Sequence, residues 1–288
     1  MADIGFIGLG LMGAGFTRRL VECGHRVSGF DAEPARMGEA EGWGVATAGS
    51  LSEAAAAASL VFICVTTSAA VRDVALGLAQ SGTLDGKIVV DLSTTEMGVT
   101  SEIAAAIAGA GGAFLDAPVS GGPPAAEAGT LAIMVGGEER AVEAARPVLE
   151  QLGLVTHMGG VGAGQATKLV NQALCLTNYV VVAEGLRLAE AYGVDASRIP
   201  AALAPGLGNS AVLQAIYPRM VAKDYAPRGY ARQILKDLEL VHEATRAQHL
   251  PMPMLSQALT LFRMMVAQGK SELDGAGIVT LLPEPESH

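Results

Sequence analysis

Residues 162–193, GAGQATKLVNQALCLTNYVVVAEGLRLAEAYG, constrain the fold more than any other stretch. Gly162 and Gly164 lead in and Gly193 supplies a C-terminal stop. Between them run about 28 residues without proline, which at 1.5 Å per residue is a helix roughly 40 Å long. One small domain does not need such a helix, so two domains are expected, joined by it. Apolar residues (Leu169, Val170, Leu174, Leu176, Val180, Val181) fall on more than one side, which predicts burial on several faces. Lys168, Asn171 and Gln172 stand at i, i+3 and i+4, a spacing that puts an ammonium and two amides on one stripe. A buried lysine is costly unless something uses it. Burial and the positive helix end both push an amine's pKa down, towards proton exchange.

The N-terminal half has a second constraint. Ile4–Gly8 is an apolar β-type run followed at once by Gly8-Leu9-Gly10-Leu11-Met12-Gly13. A helical pattern then places Phe16, Leu20 and Val21 on one face, and a second strand over 27–30 ends at Asp31. Strand, G-x-G-x-x-G, helix, strand and acid are the parts of a dinucleotide site: a tight turn, a close backbone approach for pyrophosphate, close helix–strand packing, and a carboxylate for the ribose. Asp31 would accept from a free 2′-OH and repel a 2′-phosphate. Arg36 could reach that phosphate only by curling back, so NAD is expected ahead of NADP. Further strands over 60–65, 88–91 and 113–116 continue a parallel rhythm, with a helix around 98–109. Their turns, Val65-Thr66-Thr67-Ser68 and Ser93-Thr94-Thr95, face the ligand crevice of such a sheet; helix capping is the competing reading for the second. Ser120-Gly121-Gly122 exposes backbone N–H groups suited to an anion, a plain Gly-Pro loop being the alternative.

Composition narrows the partners. Nineteen basic against 29 acidic side chains leave a net charge of −10, which argues against nucleic acid and anionic membrane. Cys23, Cys64 and Cys175 are odd in number and far apart, as reduced thiols in a cytoplasmic protein would be. No uninterrupted apolar run of about 18 residues predicts a membrane span. His25, His157, His242 and His249 share no motif with other ligand types, so structural roles and no metal site are expected.

Together, GFIGLGLMG at the N-terminus, DAPVSGG at 116–122 with AGTL at 128–131, GAGQATKLVNQ at 162–172 and KDL at 236–238 resemble the β-hydroxyacid dehydrogenase family. The resemblance spans nearly the whole chain. It implies an N-terminal Rossmann domain with a doubly wound, mostly parallel sheet (1–161) and an all-α domain (162–288), with 162–193 as the linking helix. It implies that Lys168 is the catalytic lysine and that Asn171 orients substrate. Ser120, Gly121 and Gly122 would hold the substrate carboxylate, with Gln172 also on the substrate side. Gly8, Leu9, Gly10, Leu11, Met12, Gly13, Asp31, Val65, Thr66, Thr94 and Lys236 would bind cofactor. From spacing alone Lys236 and Asp237 read as a solvated surface pair. Two departures stand out: Gln172 replaces the family's second asparagine, and Pro123-Pro124 stiffens a loop that usually has small residues.

The second half reads as helical, with breaks at Pro200, Pro205-Gly206, Pro218, Pro227 and Pro251–Pro253. Tyr230–Ala247 is amphipathic with Ile234, Leu238, Val241 and Ala244 inward, and 255–266 is a second helix. The last residues, PEPESH, read as a frayed tail. The expectation is an NAD-dependent oxidoreductase of small β-hydroxy acids, forming a homodimer or homotetramer. Alternatives are an imine reductase-like enzyme, a 6-phosphogluconate dehydrogenase-like enzyme, and a sensor or scaffold without turnover.

Overall fold

In the computed structural model, which describes residues 1–285, the chain divides into two units, Met1–Lys168 and Leu169–His288. Residues 286–288 of the tail lie outside the described residues.

The first unit begins β1 (Asp3–Ile7), α1 (Leu11–Glu22), β2 (Arg26–Phe30), α2 (Pro34–Glu41) and β3 (Ala46–Thr47). It continues α3 (Leu51–Ala56), β4 (Leu60–Ile63), α4 (Ser68–Gln80), β5 (Ile88–Asp91), α5 (Met97–Gly109) and β6 (Ala113–Asp116). The strands lie in the order β3-β2-β1-β4-β5-β6, all parallel, so the chain changes direction across the sheet between β1 and β4. In doubly wound sheets that reversal opens the ligand crevice. The apolar strands are covered on both faces, as parallel sheets require. Ile4, Phe6, Phe62 and Val90 pack with Phe16 and Leu20 on one side. Ile7, Val61, Ile63 and Val89 pack with Leu78 and Ile103 on the other.

Beyond β6 the sheet holds elements that were not among the expected strands and helices. These are β7 (Val119–Ser120), α6 (Gly122–Ala128), β8 (Leu131–Gly137), α7 (Glu139–Leu149) and β9 (Gly153–Gly159). β8 runs antiparallel to β6 and β7 and parallel to β9. Pro123 and Pro124, expected to stiffen a loop, sit in the first turn of α6. There the missing N–H has no intrahelical partner to lose, and the fixed φ is already helical.

α8 (Ala163–Ala191) begins in the first unit and supplies the first helix of the second. α9 (Ile199–Leu203), α10 (Ala211–Val221), α11 (Ala231–Ala247) and α12 (Pro253–Ala267) follow, with a 3-10 segment over Gly275–Leu281. Leu176, Val180, Leu186, Leu238, Phe262 and Met265 form the core of this unit. α11 turns Ile234, Leu238 and Val241 inward, as its spacing predicts. Pro218 does not end a helix. It lies inside α10, where buried Leu213, Tyr217 and Met220 anchor the turns on both sides of the one lost backbone bond. α8 also departs from expectation, because Val170, Leu174, Val181 and Leu188 are more than half exposed. Only one of its apolar faces is covered by its own unit's core, a difference that composition cannot register.

Candidate active site

The three glycines after β1 do different work. Gly8 has φ +98°, and a Cβ there would meet the Cys64 carbonyl; at Gly13 it would meet the Gly8 carbonyl. Both are demanded by the protein's own backbone. Gly10 is not: the nearest atom to a Cβ there is the flexible Arg36 Nη1 at 3.5 Å. The space above Gly10, at the N-cap of α1 and bordered by the flexible Arg36 side chain, is where a pyrophosphate would approach the helix N-terminus. Leu9, Leu11 and Met12 complete the turn, Leu9 buried and Leu11 exposed.

Asp31 is buried at the end of β2. Its Oδ2 accepts from Leu9 N at 2.7 Å and its Oδ1 from Glu33 N at 2.8 Å. A carboxylate has about four acceptor positions, so capacity remains for a ribose hydroxyl. Arg36 does curl back, bringing Nη1 to 3.5 Å from Asp31 Oδ2 with its side chain half exposed. One helical turn within α2 makes that approach, which linear distance understates. These residues fit a nicotinamide dinucleotide.

Val65 and Thr66 follow β4, across the reversal point from the glycine turn, and Val65 N donates to Ser93 Oγ at 3.0 Å. Neither Ser93 nor Thr95 caps α5, whose N-cap is Glu96. They bond instead to Asp91: Ser93 N donates to Oδ1 at 2.9 Å and Thr95 Oγ1 to Oδ2 at 2.7 Å. Asp91 is fully buried, and desolvation pushes its carboxyl up to about 6 despite these donors. Thr94 lies half-buried between them.

Lys168 is 6% exposed, and its Nζ donates to the Val119 carbonyl at 2.7 Å, one residue before Ser120. The structure therefore brings the lysine to the Ser120-Gly121-Gly122 turn, residues 46–48 positions away in sequence. Gly121 and Gly122 have φ +138° and +72°, the region that favours glycine, and they lead into α6.

Asn171, Gln172 and Lys236 belong to the second unit. Gln172 is 6% exposed with both amide ends engaged: Oε1 accepts from Asn171 Nδ2 at 2.8 Å and Nε2 donates to Asp237 Oδ2. Its side chain is thus committed to its neighbours and not held open for a substrate. Because a carboxylate only accepts, Asp237 fixes which way both amides point. Lys236 Nζ lies 2.9 Å from Asp237 Oδ1, and the two side chains are 29% and 16% exposed, so the solvated-pair reading is replaced by a half-buried chain of polar contacts.

Sequence reasoning missed Asp91, Asp116 and Gln165, and read Asp237 only as a surface partner of Lys236. An acid at the very end of an apolar strand was the available signal for Asp91 and Asp116. His25 and His157 are structural: His25 bonds Ala2 N and Gln151, His157 the carbonyls of Gly137 and Gly159. His249 lies past the end of α11 at φ +55°, not on a helix. Among the described residues no group of three or more His, Cys, Asp or Glu side chains could hold a metal ion.

Residues 3–160 match a family model described as the NAD binding domain of 6-phosphogluconate dehydrogenase. Residues 162–282 match one described as NAD-binding of NADP-dependent 3-hydroxyisobutyrate dehydrogenase. The 2-hydroxy-3-oxopropionate reductase of Escherichia coli K12 is 33% identical over 288 residues, covering 99% of this chain and 98% of the relative. The chain belongs to the β-hydroxyacid dehydrogenase family. A solved 3-hydroxyisobutyrate dehydrogenase of Mycobacterium tuberculosis, with L-serine, superposes with a TM-score of 0.88 at 32% identity, covering 98% of this chain and 99% of that one. An imine reductase from Pseudomonas sp. superposes less well, at 0.68 and 25% identity over 98% and 99% of the two chains. As a β-hydroxyacid dehydrogenase the protein is an oxidoreductase that binds a nicotinamide dinucleotide, with the Rossmann and helical parts of that fold.

Proposed function

We propose that this enzyme interconverts a small β-hydroxy acid and its semialdehyde or oxo acid, with Lys168 as general acid and base. The observation that carries the proposal is the buried Lys168 amine held at the Ser120 turn through Val119. In oxidation the neutral amine takes the substrate hydroxyl proton; in reduction the ammonium returns it. A bound nicotinamide supplies the hydride acceptor or donor. Ser120, Gly121 and Gly122 hold the substrate carboxylate. Asn171 holds the hydroxyl in register, and Gln172 supports Asn171 in place of touching substrate. Lys236 serves the cofactor end, with Val65, Thr66 and Thr94 lining the nicotinamide ribose. The names of the relatives, acting on 2-hydroxy-3-oxopropionate and 3-hydroxyisobutyrate or solved with L-serine, support a three- or four-carbon substrate. Asp31 supports NAD ahead of NADP.

The test is a panel of C3–C5 hydroxy acids with NAD and NADP, read as absorbance of the reduced cofactor. One hydroxy acid is expected to turn over with NAD at a rate that rises towards alkaline pH. Lys168→Met is expected to lower kcat by about 10²- to 10⁴-fold, the usual worth of general acid–base catalysis. A flat pH profile with an active Lys168→Met enzyme removes the mechanism; no turnover on any hydroxy acid favours the sensor reading.

We also propose a cytoplasmic homo-oligomer formed through the second unit. Val181, Leu188 and Tyr192 are 52%, 61% and 80% exposed beside an apolar groove of about 450 Å³. Residues 201–208 are exposed and carry no charge. By length and hydropathy α8 could cross a membrane. Lys168, Gln172, Glu184 and Arg187 along it support a helix of a folded enzyme instead.

A further inference from the structure

Asp116 closes β6 with its carboxylate fully buried. Oδ1 accepts from Gly162 N and Oδ2 from Gln165 N, both at 2.8 Å. These N–H groups belong to the lead-in and first turn of α8, where no intrahelical acceptor exists. Burial raises the Asp116 carboxyl, and the same backbone donors pull it back. Gln165, 1% exposed, makes a second tie: its Nε2 donates to Ser93 O at 2.8 Å and its Oε1 accepts from Thr95 N at 3.0 Å. One turn further along α8, Lys168 donates to Val119 O, three residues after Asp116. The contacts form a closed ring from Asp116 to α8, along one turn to Lys168, and back through Val119.

The ring has little slack. A Cβ at Gly164 would run into the Asp116 and Met134 carbonyls, and one at Gly136 would lie 2.5 Å from Asp116 Oδ1. The source of the cap is also informative. A serine or aspartate at the helix's own N-cap would satisfy the same donors at lower desolvation cost. The lead-in residue here is Gly162, and the acceptor comes from 46 positions away. A local cap stabilises a helix but leaves it free to slide and roll on the sheet. A remote one, paired with Gln165 on a second strand's loop, sets its height and its rotation together.

We propose that Asp116 and Gln165 are positioning residues for the reaction: they fix the register of α8 so that the Lys168 amine stays at the Ser120 turn. This rests on the reading of Lys168 as acid and base. A misplacement of about 1 Å can cost about 100-fold in rate, so the effect should appear in turnover before it appears in cofactor affinity.

The test is a double-mutant cycle on the full-length enzyme, with kcat, KM, the NADH dissociation constant and the melting temperature measured for each variant. Asp116→Asn keeps the shape but turns an amide NH2, which can only donate, towards a backbone N–H. It is expected to lower kcat about 10- to 100-fold with NADH affinity within about 2-fold of wild type. In the Lys168→Met background it should change the residual rate by less than about 3-fold, because the lysine it positions is gone. Gln165→Met, uncharged and similar in volume, should repeat the pattern and carries the cycle if Asp116→Asn fails to fold. Wild-type kcat in both variants overturns the inference. So does an equal loss of rate in the wild-type and Lys168→Met backgrounds, which a merely structural role produces. An active Lys168→Met single variant would instead sink the acid–base reading, and this inference with it.

Discussion

Gly10→Ala separates what the glycine turn does for the fold from what it does for a ligand. The new methyl would have only Arg36 Nη1 nearby, at 3.5 Å, which is ordinary contact with the end of a flexible side chain. Gly10 already has φ −67° and ψ −163°, a conformation open to alanine. Folding should therefore change little, and the reduced freedom of the unfolded chain could add about 0.4–1 kcal/mol of stability. Cofactor binding should suffer. The methyl stands where the pyrophosphate would reach the α1 N-terminus, and each charge-assisted hydrogen bond lost costs about 1.5–3 kcal/mol. That is about 10- to 150-fold in the NADH dissociation constant at 1.4 kcal/mol per tenfold. Gly13→Ala is the contrast, since its methyl collides with the Gly8 carbonyl and should destabilise the unit outright. NADH fluorescence titration and thermal melting of the two variants side by side give the answer. An alanine at 10 that binds NADH within about 3-fold of wild type, or that melts as early as the alanine at 13, would refute the assignment of this turn.

Asp91→Asn should stabilise the protein at neutral pH. The buried carboxyl holds its proton up to about pH 6, while the unfolded chain releases it near 3.8, so native stability falls as pH rises between those values and the penalty is complete above 6. Removing the charge should recover up to about 3 kcal/mol at pH 7.5 and nothing near pH 3.5; a variant that melts below wild type at pH 7.5 would count against it. Asp31→Ser should shift cofactor choice towards NADP by at least about tenfold in kcat/KM, with Arg36 already beside the ribose position, and an unchanged NAD to NADP ratio would remove Asp31 from the selectivity argument. Leu207→Asp, on the most exposed apolar side chain, should split the proposed oligomer in light-scattering chromatography, whereas an unaltered mass would place the interface elsewhere.

Much of this protein was legible before its coordinates because its signals are local. A glycine turn between strand and helix, an acid closing the next strand, and a lysine three and four residues before two amides are short-range patterns. Turn sterics and the 3.6-residue helical repeat translate them directly into geometry. The apolar strands over 88–91 and 113–116 and the amphipathic helix near 231–247 are of the same kind. Tertiary structure alone decided which of these groups meet. Asp116 reaches Gly162 across 46 positions, Gln165 reaches Ser93 across 72, and Gln172 finds Asp237 across 65. Each contact joins side chains whose separation along the chain carries no periodicity, so no local rule anticipates it. Of the strands that escaped notice, β8 carries a signal of its own in the apolar run from Leu131 to Val135, whereas the two-residue β7 is a strand only through its pairing with β8. The exposed face of α8 is the same lesson reversed: apolar residues declare that something covers them, while only packing tells whether the cover belongs to the same chain.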